Sequence, residues 1–279
     1  MNFADSCMVL AALFEAVCIC NQIKHNKIKK SIYGLSYDYI LLNWIATLAS
    51  IGSSLNYYTN PEVIRQYRWR YPVHAEIPVI ATLIIAETIV LVVSSALMFQ
   101  TFFIYPKTRN INQCVSGLNM FFLGILGAGF VYVAKLYAFQ ESSMVLLDLV
   151  DYIWFIAKVT SLVKYWPQLM MNWFGQCVIG LHRNWFLLQS VGLFFFAVGK
   201  ITSDWFYDWY QVPLNYNTWA YLFASGGSLI LFLVQSEYWY HGNRPTLELF
   251  YYYEHGVDES VLSHSYEEVE SDASVDELV

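Results

Sequence analysis

Residues 22–42 read QIKHNKIKKSIYGLSYDYILL, and residues 168–188 read QLMMNWFGQCVIGLHRNWFLL. Shifted by 146 positions, from 22 to 168, the two stretches align without a gap. Gln22 meets Gln168, Asn26 meets Asn172, Gly34-Leu35 meets Gly180-Leu181, and Leu41-Leu42 meets Leu187-Leu188. Similar residues fill the spaces between, among them Ile23 with Leu169, Ile32 with Val178, Asp38 with Asn184, Tyr39 with Trp185 and, just beyond, Asn43 with Gln189. A common apolar bias yields a few such coincidences, but not Gln, Asn and Gly in one register. The chain is therefore read as an internal duplication at about half its length.

Outward from these stretches the sequence is mostly apolar. Of 279 residues, 57% are hydrophobic and 13% are charged, and the mean hydropathy is +0.40. Soluble domains carry about 25% charged residues, so this chain lacks the charge to cover a water-facing surface. A helix needs roughly 20 apolar residues to cross a bilayer. Spans are predicted near 3–23, 38–58, 77–105, 116–138, 145–166, 184–206 and 216–240, the fifth and sixth being rich in charges and aromatics. The fold class expected is all-α integral membrane, with seven transmembrane helices. The first apolar run, without a basic leader or cleavage site, is read as a span and not as a removable signal.

Basic residues orient these spans. With the N-terminus outside, the inner segments hold Lys24, Lys27, Lys29, Lys30, Lys107, Arg109, Arg183 and Arg244, against Arg65, Arg68 and Arg70 outside. That places the N-terminus in a lumen and the C-terminus in the cytosol. The duplication then equates spans 1–3 with spans 5–7 and leaves span 4 over. One extra span restores direction, so the copies are expected to be parallel: repeat 1–108, linker helix 109–142, repeat 143–242. Parallel repeats with a site at their interface are a transporter architecture.

The net charge of −7 conceals a division. Residues 246–279 hold ten acids and neither Lys nor Arg, which leaves 15 basic and 12 acidic residues in the body. The segment 243–279 is expected to be a solvated, disordered cytosolic tail, and Tyr266-Glu267-Glu268-Val269 loosely fits a signal for cytosolic sorting adaptors. No basic stripe points to nucleic acid. Cys7, Cys18, Cys20, Cys114 and Cys177 are odd in number and mostly lie in apolar segments, where they read as small hydrophobes. The scattered histidines suggest no metal site, and no nucleophile, phosphate loop or cofactor motif supports an enzyme.

The repeated element carries a resemblance. Lys164-Tyr165-Trp166-Pro167-Gln168-Leu169-Met170-Met171-Asn172 resembles the second PQ motif of the PQ-loop family, in its cystinosin branch of lysosomal and vacuolar cystine transporters. Ile32 to Tyr39, followed by Leu41-Leu42-Asn43, is similar to the segment after that family's first motif, and Tyr240-His241-Gly242-Asn243-Arg244-Pro245 to the end of its last helix. The resemblance implies proton-linked export of cystine or a similar small amino-acid solute from an acidic organelle (lysosome, vacuole or endosome) to the cytosol, by alternating access. Two departures stand out. Asn21-Gln22 replaces Pro-Gln in the first motif, and Gln189 occupies the place of the family's proton-coupling Asp. Gln189 cannot titrate, so a different group must carry the proton, or the protein is a sensor, cargo receptor or adaptor that has lost coupled transport.

Pro167 reads as a hinge in span 5, since proline removes a helical hydrogen bond, with Gln168 and Gln22 as its polar companions. Ionisable residues inside spans are functional candidates by default. Glu87, Glu15 and Asp38 are the candidates for proton coupling. Asn43, Lys158, Gln189 and Asn184 are those for binding the solute. Asp148 and Asp151 read as a lumenal helix end, and Lys135 and Lys200 as snorkelling side chains.

Overall fold

The computed structural model describes residues 3–72, 75, 77, 79–110, 113–139, 144–204 and 219–243. Its regular structure is helical: α1 (Phe3–Lys29), α2 (Tyr37–Thr59), α3 (Pro61–Arg70), α4 (Ala81–Phe99), α5 (Gly117–Ala138), α6 (Leu146–Val163), α7 (Trp166–Gly175), α8 (Trp185–Asp204) and α9 (Trp219–Val234). Two π-helical turns, Gln100–Ile104 and Gln235–Trp239, extend α4 and α9. Among the described residues, five helices are long and apolar enough to cross a membrane: α1, α4, α5, α8 and α9, the second and last counted with their π turns. The chain has the helices of an α-helical, multi-pass membrane protein. The second and fifth predicted ranges are occupied by α2 and α6, which are more polar. Nearly all of the tail, 244–279, lies outside the described residues.

Local chemistry sets the ends. Ser36 caps α2 by accepting from Tyr39 N, and Ser116 caps α5 by accepting from Asn119 N. Asn60 ends α2 through its N–H to Asn56 O and starts α3 by accepting from Glu62 N, with Pro61 in the first turn, where its missing N–H costs nothing. The same chemistry operates at Pro167, at the end of the fifth predicted span. Pro167 stands in the first turn of α7, and the break lies before it, at Lys164-Tyr165, both still in right-handed helical conformation. In α1, where Asn21 replaces the proline, the helix runs unbroken to Lys29. Gln22 therefore sits within a continuous helix.

Inside the bundle, α1 packs on α4 and α8, α2 on α4 and α6, and α9 on α6 and α8, while α5 lies against α6. The polarity is arranged for lipid. Leu118, Phe223 and Phe103 are 81%, 75% and 69% exposed, while Gln22, Gln168 and Asn172 are buried to within 2%. Amides and hydroxyls satisfy one another in the interior, where hydrocarbon outside offers no partner. Cys7 and Cys18 are buried as expected of small hydrophobes, but Cys20 and Cys114 are exposed. Lys200 is buried to 4%, so the snorkelling expected of it is not seen.

Candidate functional site

Three layers follow one another along the bundle. The first is a ring of amides. Gln22 Nε2 donates to Asn26 Oδ1 (2.8 Å) and to Gly180 O (2.8 Å), and its Oε1 accepts from His182 N (3.0 Å). Gln168 Nε2 donates to Asn172 Oδ1 (3.0 Å) and to Gly34 O (2.8 Å), and its Oε1 accepts from Ser36 N (2.7 Å). Asn26 Nδ2 then donates to Gln100 Oε1, whose own amide donates to Ile23 O; Asn172 Nδ2 donates to Gln235 Oε1, whose amide donates to Leu169 O. Both of these glutamines open a π turn. Each bond in the first set has its counterpart in the second.

The two sets touch at Gly34 and Gly180. Gly34 has φ +79°, and a Cβ on Gly180 would fall 2.1 Å from the Gly34 carbonyl, so no side chain fits. Lys30 (φ 49°) and Gln176 (φ 48°), again 146 apart, hold the same left-handed conformation just after α1 and α7. His182 Nε2 donates to Cys18 O (3.1 Å); burial lowers the affinity of its imidazole for a proton below the ordinary value, partly offset by that carbonyl.

Next comes an aromatic layer of Tyr39, Tyr165, Trp185 and Phe232, each at least 96% buried. Tyr39 stacks on Tyr165 with centroids 6.0 Å apart, and Trp185 meets Tyr165 and Phe232 edge-on at 5.8 and 4.9 Å. On every contributing strand of sequence the aromatic lies between an amide-ring residue and a residue of the third layer.

The third layer is a cavity of about 160 Å³ enclosed by α1, α2, α4, α6, α8 and α9. Its polar lining includes Glu15, Asn43, Glu87, Lys158, Lys164 and Gln189. Lys164 Nζ donates to Glu15 Oε1 (2.6 Å) and Asn43 Oδ1 (2.9 Å) and stands 5.1 Å from the Tyr165 ring centroid. Glu87 accepts from Ser50 (2.8 Å) and Ser54 (3.2 Å). Gln189 Oε1 accepts from Tyr165 OH (2.9 Å), and Lys158 Nζ lies 5.7 Å from the Trp154 ring.

Five of the sequence-derived candidates thus meet in one place: Asn43, Lys158, Gln189, Glu87 and Glu15. Asn184 does not join them; it is exposed in the turn before α8, where the chain is still forming its first helical bond. Asp38 is buried but faces away, its carboxylate accepting from Ser116 N and Asn119 Nδ2 (2.9 Å) at the start of α5. Gln22 and Gln168 belong to the amide ring, outside the cavity. Missed in the sequence was Lys164, buried to 3%. It was read only as part of the Tyr-Trp-Pro-Gln stretch, although the rule that singled out Lys158 applies to it equally. Tyr165, Tyr221 and the lining serines carried no signal that would separate them from other aromatic and small residues of a membrane protein.

Beyond the cavity, Arg70 on α3 pairs with Asp148 (2.8 Å) and Asp151 (3.4 Å) on α6, and Tyr57 OH donates to Asp151. Asp148 also accepts from Val145 N at the start of the helix. Asp148 thus stands at the helix start, Asp151 one turn further in, and both share a partner on α3.

No family model matches the chain. Over 254 residues it is 25% identical to the uncharacterised protein YCL002C of Saccharomyces cerevisiae, a similarity that covers 85% of this chain and 95% of that protein.

Proposed function

We propose that this protein is a carrier of the PQ-loop kind, cystinosin branch, which moves cystine or a similar small amino-acid solute from an acidic organelle to the cytosol. On this reading seven helices span the membrane as two parallel three-helix repeats, α1-α2-α4 and α6/α7-α8-α9, joined by α5, with the N-terminus lumenal and the C-terminus cytosolic. The paired hydrogen bonds at a constant offset of 146 support that layout, as do the matched packings of α1 with α8 and of α2 with α6. The observation that carries the function is the cavity, lined from both repeats by two lysines, two carboxylates and two amides. Fixed charges of both signs in a small hollow suit a zwitterion: Lys158 and Lys164 for its carboxylates, Glu87, Asn43 and Gln189 for its ammonium groups.

The aromatic layer closes the hollow toward the amide ring, and the Arg70 cluster sits toward the opposite end of α2 and α6. Alternating access requires each closure to open in turn. Retargeting the protein to the plasma membrane and measuring uptake of labelled cystine at acidic and neutral external pH tests the proposal. Uptake is expected, and more of it in acid. Absence of cystine uptake by a correctly folded protein would favour the second reading, a sensor, cargo receptor or adaptor without coupled transport. One observation favours that alternative: Gln189 is neutral and already tied to Tyr165.

A further inference from the structure

We infer that Glu15 is the proton carrier of the cavity and that it acts by competition: as a carboxylate it occupies Lys164, and when protonated it surrenders the Lys164 ammonium to a carboxylate of the solute. This deepens the carrier reading and rests on it. The Lys164 ammonium has its donors directed at Glu15 Oε1 (2.6 Å) and Asn43 Oδ1 (2.9 Å), with the Tyr165 ring beside it. The two partners of the ion pair are unequally placed: the Lys164 side chain is 4% exposed and that of Glu15 is 26% exposed. Lysine is fixed in the wall, whereas the glutamate reaches the open space.

A solute carboxylate arriving at Lys164 while Glu15 remains charged would set two anions around one cation in a site partly shut from water, which is unfavourable. Exchange avoids this. A proton binds the Glu15 carboxylate, its charge-assisted bond to Lys164 breaks, and the solute carboxylate takes the vacated position. One negative and one positive charge enter together, and both leave when the solute departs.

The groups facing Glu15 are consistent with this assignment. At the end of α6 stand Lys164 and Tyr165, with Lys158 further along that helix; Glu87 faces it from α4 and Tyr221 from α9. Cys18 follows on α1 itself, Tyr39 belongs to the aromatic layer of α2, and the α8 part of the lining is untitratable, with Gln189 its polar member. Glu87 is held by the hydroxyls of Ser50 and Ser54, and its charge acts on Lys158 rather than on Lys164.

The experiment measures binding of labelled cystine by the purified full-length protein from acid to neutral pH, alongside infrared spectra of the unliganded protein titrated over the same range. Wild type is expected to lose affinity by about tenfold per pH unit above the protonation of the carboxyl, as one linked proton requires. Glu15→Gln should bind with no such slope and at least as tightly as wild type at neutral pH. Glu15→Asp should restore the slope, and Glu87→Gln should keep it. The part of the protonated-carboxyl band that belongs to Glu15 should be missing from the Glu15→Gln difference spectrum and retained in that of Glu87→Gln. A slope that survives in Glu15→Gln, or a carboxyl band unchanged there, overturns the inference while leaving the carrier reading in place. A wild type that binds no cystine at any pH overturns the carrier reading and the inference with it.

Discussion

Single side chains decide whether the interior holds together, because almost every polar atom there is bonded to another. Gln168 alone satisfies Ser36 N, Gly34 O and Asn172 Oδ1. Gln168→Leu keeps the size and strands all three, so a loss of about 2–4 kcal/mol is expected, read as a lower unfolding temperature in detergent. His182 gives a pH-dependent term. Its folded-state proton affinity lies below that of the unfolded chain, so the unfolded state takes up the proton first. Its contribution is complete above the ordinary imidazole pKa of about 6.5 and fades as the pH falls below it. His182→Ser, which installs the residue found at the matching position 36, should flatten thermal stability between pH 7 and pH 5 relative to wild type. At Gln189, substitution by Asp places a titratable group against Tyr165 OH. Cystine uptake should then gain acid dependence, and an unchanged pH profile would deprive this aligned position of mechanistic meaning.

Among the helices, the junction of α6 and α7 and the continuity of α1 are one comparison made by the chain itself. Pro167 occupies a first turn, so Pro167→Ala should change stability by less than about 1 kcal/mol. Asn21→Pro, at the corresponding place in α1, would remove an interior helical bond and press the ring on the Val17 carbonyl. It should cost about 3 kcal/mol, visible as a shifted unfolding midpoint. Outside the repeat pattern, α3 is held to α6 by Arg70. Arg70→Ala leaves Asp148 and Asp151 facing each other beside Tyr57, and about 1–3 kcal/mol of stability should go with it, between the values for exposed and buried pairs. Helix ranges were legible in the sequence because twenty-residue apolar runs are hard to mistake; α5, Gly117–Ala138, differs from the predicted 116–138 by one residue at its start. Helix α3 was not legible, since a ten-residue amphipathic segment between spans looks like any loop. Nor were the π turns, each of which opens on a glutamine, Gln100 or Gln235, bonded to a partner distant in sequence.

At the scale of the whole molecule, the correspondence between residues 22–42 and 168–188 has a structural counterpart that fades beyond them. Those stretches build the amide ring, where geometry fixes the residue type. Further along, Gln100 and Gln235 play the same part but stand 135 positions apart instead of 146, so a gap-free comparison passes them by. The cavity was legible only in part, because its two sides are unlike: Asn43 opposes Gln189, but Glu15 matches Ser161 and Lys164 matches Cys18. The matched hydrogen bonds lie in the amide ring, and the cavity lining differs between the matched positions.

Where Gly34 and Gly180 meet, main chain rests on main chain with no side chain between. Such a bearing has no rotamers to reset, and on the carrier reading proposed above it is where the two halves would turn. Gly180→Ala would drive a methyl group into the bearing surface itself. Beyond an expected loss of at least about 1–3 kcal/mol in thermal unfolding, the wedge would tilt one half of the molecule against the other, and small displacement at the fulcrum becomes larger displacement at the far rim.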